Sequence, residues 1–96
     1  MPESPEIPGG EKGQPLSRVH TDATGLAWTV WEITPGPLPP KLKRLLGREA
    51  GVRGALLFVS ESNEWRELTP VPADWTRLED SEIEEFRVRA RVVRAD

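Results

Sequence analysis

The chain has no cysteine among its 96 residues, which excludes disulfides and any thiolate metal site. It has a single histidine, His20, and no cysteine or second histidine to partner it in a zinc site or a nucleophilic triad. The acids follow no EF-hand spacing, and "GREAGVRG" lacks the lysine and the spacing of a phosphate-binding loop. The longest apolar run, "ALLFV" at 55–59, is far too short to cross a bilayer. The first residues also lack the basic and apolar regions of a secretory signal. These absences lead to the expectation of a soluble cytoplasmic protein with no cofactor, no metal and no membrane contact, and argue against an enzyme.

Other features are in surplus. The first fifteen residues, "MPESPEIPGGEKGQP", hold four prolines and three glycines, with Met1 and Ile7 as the only other apolar residues. Such a segment buries too little surface to offset its ordering entropy, so residues 1–15 are expected to be a disordered tail and residues 16–96 one small domain. The net charge of −3 hides a segregation along the chain. Lys41, Lys43, Arg44, Arg48 and Arg53 stand against Glu49 alone in residues 41–53. Residues 61–85 hold nine acids against Arg66 and Arg77. Four arginines then stand against Asp96 in residues 86–96. An acidic middle of this kind argues against a general polyanion binder.

Residue alternation outlines the elements. "PLSRVHT", "DATG" and "LAWTVWEIT" read as a β-hairpin whose turn needs the positive φ that Gly25 supplies. The second strand separates into Leu26, Trp28, Val30, Glu32 on one face and Ala27, Thr29, Trp31, Ile33 on the other. "PGPLPP" ends it, because proline removes ladder donors. "KLKRLLGREAG" then gives one or two helical turns carrying Leu42, Leu45 and Leu46 and ending at Gly47. The connection 35–53 is long for so small a domain, which marks it as a mobile or functional segment. Residues 55–60 and 65–69 form a second hairpin around "ESNE". "PVPADW" breaks the sheet, and Trp75 and Leu78 seat the chain entering the last element.

That last element, "SEIEEFRVRARVVR" at 81–94, carries two conflicting signals. From Phe86 to Val92 apolar residues alternate with Arg87, Arg89 and Arg91, the period of a strand. Ser81 and Glu84 have capping-box spacing, glutamates fill the first turn, arginines follow, and Glu85 and Arg89 form an i,i+4 pair. Three valines cost a helix about 0.5 kcal/mol each relative to alanine, while a cap and dipole complement return roughly 1–2 kcal/mol. No Gly, Pro or Asn occurs from Thr76 onward, so the expectation is a helix, with Val88 and Val92 on its exposed side. A strand would instead put the arginines in one basic row.

The order Trp28-x-Val30-x-Glu32, then Gly54-x-Leu56-x-Phe58-x-Ser60, then Trp65-Arg66-x-Leu68-x-Pro70-x-Pro72-x-x-Trp75 resembles a group of short uncharacterised bacterial proteins. The resemblance spans residues 17–94 and implies an acidic segment and a C-terminal helix, but brings no activity and no catalytic residues. This chain departs from the group in "RVRARVV", where leucines are expected.

The expected fold is α+β: about four antiparallel strands in two hairpins, with one C-terminal helix on one face. One helix covers one face, so one tryptophan-bearing row of the second strand should be left open. The expected function is a non-catalytic protein–protein interaction module or accessory subunit of a bacterial complex, binding an unknown protein partner or a second copy. The candidate contact residues are Trp31, Ile33, Lys41, Lys43, Arg44, Arg48, Val88 and Val92. The alternative is a small nucleic-acid-binding protein that uses the basic loop 41–53 and an exposed tryptophan.

Overall fold

The computed structural model describes residues 17–46 and 48–95, and the side chains of Arg48 and Glu49 are outside that description. The expected tail, residues 1–15, lies outside the described residues. The elements run β1 (Ser17–Thr21), β2 (Ala27–Ile33), α1 (Pro40–Leu45), α2 (Arg48–Arg53), β3 (Ala55–Ser60) and β4 (Trp65–Leu68). A 3-10 turn (Trp75–Arg77), α3 (Asp80–Arg89) and β5 (Arg91–Arg94) follow. The strands form one antiparallel sheet in the order β1-β2-β3-β4-β5. The fold is α+β, with five strands among the described residues where the sequence suggested four.

The first hairpin forms where the alternation places it. Gly25 turns it at φ 91°. The Asp22 carboxylate accepts from the Thr24 N–H at 2.8 Å, the Thr24 hydroxyl at 2.6 Å and the Leu26 N–H at 3.0 Å. These donors favour the charged carboxylate and hold Asp22 well below the usual carboxylate range. At the start of β3, Gly54 sits at φ 79°, and a Cβ there would lie 2.9 Å from the Ile33 carbonyl oxygen. Only glycine lets α2 end and β3 begin so close to β2.

Side chains on adjacent strands sort the sheet into two faces. Trp28, Val30, Leu56 and Phe58 pack beneath α3, with Trp75, Ile83 and Ala90 completing that core. Ile33, Ala55, Leu57 and Trp65 pack on the opposite face against Leu42, Leu46 and Ala50 of the α1–α2 segment. The expectation that one face would be left bare is therefore corrected. The connection 35–53 is the second cover, because its leucines recur on one side of two short helices. Ile33, named as a contact candidate, is fully buried under it.

The C-terminal stretch is both elements in succession. The helix stops at Ala90 (φ −68°, ψ 146°), whose N–H still reaches the Phe86 and Arg87 carbonyls. The capping pair lies two residues earlier than expected: Glu82 accepts from the Glu79 N–H at 3.1 Å. No breaker residue is needed at Ala90. Continuing the helix would place Val92 and Val93 in it, whereas leaving it lets Arg91–Arg94 pair with β4 and half-bury Val93. Ladder bonds and burial outweigh the helix signals there.

Ile83 is the one fully buried residue of α3. Ile83→Ala is expected to lower stability by about 2–5 kcal/mol, read as a shift in the urea midpoint with an unchanged slope.

Candidate interaction surface

His20 is the only histidine of the chain. It is 2 % exposed, and Nε2 lies 2.8 Å from Glu84 Oε1. The Arg87 guanidinium bonds both oxygens of Glu84, at 2.9 and 2.6 Å, and with His20 holds that carboxyl down at about 2. An ionised carboxylate only accepts, so Nε2 carries the proton it shares with Glu84. Nδ1 has no hydrogen-bond partner and lies 3.9 Å from Asp80 Oδ1. Arg87 also stacks over the Trp28 ring at 5.1 Å, and Arg66 stacks on it at 5.5 Å. Trp28 Nε1 donates to Asp22 at 2.9 Å. The histidine is thus a joint between β1 and α3, closed to any substrate. No group of three His, Asp or Glu side chains among the described residues is placed to hold a metal.

A cleft of about 390 Å³ opens beside the second proline segment, lined by Glu32, Val71, Pro72, Ala73, Asp74, Trp75 and Thr76. Glu32 is engaged there, accepting from Trp75 Nε1 at 2.7 Å. The polar side chains of its lining are the carboxylates of Glu32 and Asp74, the Trp75 indole N–H and the Thr76 hydroxyl.

The remaining tryptophans separate clearly. Trp28, Trp65 and Trp75 are buried, whereas Trp31 is half-buried at the margin of the α1–α2 core. Beside it on the same face stand Ser17, Val19 and Thr21 of β1, with Thr29 opposite Val19 and Val59 opposite Thr29. Val19 is 68 % exposed. Trp31 and Val59 pack partly against the α1–α2 core and Thr29 is half-buried, so the exposed margin of this face is β1, with Ser17, Val19 and Thr21.

Lys41, Lys43 and Arg44 are exposed on α1, with Leu42 turned inward between them. The Arg48 side chain is outside the description. Val88 and Val92 are exposed, at 60 % and 47 %, Val88 on α3 and Val92 on β5. The arginine row expected of a basic strand is not laid out as a row. Arg87 binds Glu84, Arg91 binds Glu67, Arg89 stacks on Phe86, and Arg94 stacks on Trp65.

Val19 was missed at the sequence level, although a signal existed. In "SRVHT" either Arg18 and His20 or the lone valine must face the core. The structure buries the basic pair because Asp80 and Glu84 of α3 meet it.

Comparison with protein-family models, with curated proteins and with solved structures finds no match. No helix among the described residues is long and apolar enough to cross a membrane.

The Glu84 joint makes stability depend on pH with a defined sign. Its folded pKa of about 2 lies below the ordinary value of 4.5, so its contribution is complete above about pH 4.5 and disappears as pH falls toward 2. Glu84→Gln should cost about 1.5–3 kcal/mol at neutral pH. The gap between the two melting curves should close on acidification to pH 2.

Proposed function

We propose that the protein is a non-catalytic protein–protein interaction module, an accessory subunit of a bacterial complex working in the cytoplasm. The observation that carries this reading is the exposed β1 margin of the sheet face. Val19 is 68 % exposed there, and half-buried Trp31 lies beside it, while the other three tryptophans are in the cores. Tryptophan is an interface anchor when part of its ring stays open, and the neighbouring Thr29 and Val59 extend the apolar contact. His20, the one residue with acid–base potential near neutral pH, is sealed beneath α3, which favours binding over catalysis.

The exposed bases Lys41, Lys43 and Arg44 favour a second reading, a nucleic-acid contact through α1. It is the weaker reading, because the chain is net acidic.

The two are separated by paired measurements. Affinity capture from the native host with the full chain should recover a defined protein, and Trp31→Glu should reduce that recovery at least tenfold while the protein stays folded by circular dichroism. Mixed RNA and single-stranded DNA should not bind at low salt. Nucleic-acid binding that weakens steeply with salt, together with capture indifferent to Trp31, would transfer the function to α1.

A further inference from the structure

The sheet has two edges, and they are built differently. β5 is short, carries Arg91 and Arg94, and meets β4 through a bulge at Trp65/Arg66. Short length, charge and a bulge are the devices that keep an edge from pairing with another chain. β1, one residue longer, has no bulge and no charged side chain on its open face. Its five residues pair with β2 in unbroken register from Ser17↔Trp31 to Thr21↔Ala27. Its outward row on the open face is Ser17, Val19 and Thr21, and its two bases are turned under α3. Arg18 bonds the Leu78 carbonyl at 2.8 Å and Asp80 at 2.9 Å, and His20 bonds Glu84.

What stands over that edge is acidic. The start of α3 crosses β1 on the buried face, bringing Asp80, whose side chain is 77 % exposed, above Arg18 and His20. The first two turns of the helix carry Glu79, Asp80, Glu82, Glu84 and Glu85, answered locally by Arg18 and Arg87. A strand added along β1 would therefore meet different chemistry on its two sides. Toward the open face its side chains would lie beside Ser17, Val19 and Thr21, with Val19 the exposed apolar contact and Trp31 one strand further in. Toward α3 they would lie beneath surplus carboxylate.

We propose that β1 is a docking edge that takes, as a sixth strand, an extended protein segment alternating apolar and basic residues. This deepens the interaction-module reading and rests on it. Main-chain ladder bonds would supply affinity, and the apolar and basic rows would select the partner and its register. Nucleic acid does not fit this edge, which is acidic and offers backbone donors and acceptors in strand spacing. An isologous pairing of two β1 edges is also disfavoured, because it would bring two acidic α3 starts together.

The test titrates the full chain with three synthetic heptapeptides: alternating Arg and Val, alternating Glu and Val, and a block peptide of the Arg/Val composition. Binding is followed by backbone NMR shifts and amide exchange. The Arg/Val alternating peptide is expected to bind, to slow exchange of residues 17–21 at least tenfold, and to weaken as salt rises. The Glu/Val and block peptides should bind at least tenfold more weakly. Val19→Lys, at an exposed position that leaves the fold intact, should weaken binding at least tenfold, and Asp80→Asn severalfold with a flatter salt dependence. Protection at β5 instead of β1, equal binding of the Glu/Val peptide, or a concentration-dependent dimer protected at β1 without peptide would each overturn the proposal. Peptide failure combined with Trp31-dependent capture of a partner would remove the edge and leave the interaction module standing. Failure of both would remove both.

Discussion

The structure depends on β3 being apolar on both faces. Ala55, Leu56, Leu57 and Phe58 are all fully buried, so neither face of the central strand can be left to water. A chain this short must then find two covers, and it finds them in opposite ways. On one face α3 brings Ile83 and Ala90 and leaves the charged sides of the helix to solvent. On the other, the proline-led segment folds two six-residue helices that bring Leu42, Leu46 and Ala50. Neither cover is wide enough for five strands. On the α1–α2 face the β1 row of Ser17, Val19 and Thr21 is what stays exposed.

The polar half of the fold answers the same demand from the outside. α3 has little apolar surface to offer, with only Ile83 fully buried along it, so its seat over β1 and β2 is secured by charge. Glu84 ties His20 to Arg87, Arg87 and Arg66 both lie against the Trp28 ring, and Trp28 in turn holds the Asp22 turn. Each member orients the next, and the network closes over a tryptophan whose indole N–H would otherwise be unsatisfied in the core. A buried polar network of this kind adds specificity of docking where apolar area is scarce.

Much of this was legible in the chain. Both hairpins, the glycine turn, the seating role of Trp75 and a helix beginning near residue 80 follow from alternation, turn chemistry and capping residues. Two features were not. The leucines of 42–46 were visible as a helical stripe, but nothing local says which face of the sheet they meet, and the bare-face expectation failed on that point. The change from helix to strand at Ala90 carries no local mark, because its cause is the free edge of β4, which lies more than twenty residues back in sequence. The surface site divides the same way. Parity placed Trp31 opposite Trp28 correctly, and it also placed Ile33 beside Trp31. Only the third dimension shows that one is partly exposed and the other sealed.

The same geometry bears on what the arginines are for. A basic, alternating C-terminal strand reads in isolation as a phosphate-binding surface, and the strand does form. Yet its arginines turn toward the molecule, onto Glu67 and the Trp65 ring, while the preceding helix turns Arg87 onto Glu84 and Trp28. A guanidinium already paired or stacked has little left to gain from a phosphate, and displacing its partner would leave buried Glu67 uncompensated. These bases therefore serve to secure α3 and to keep the β5 edge from pairing. The opposite edge has no such guard. Its own bases point inward to hold the helix, which leaves Val19 as the residue that faces whatever comes alongside.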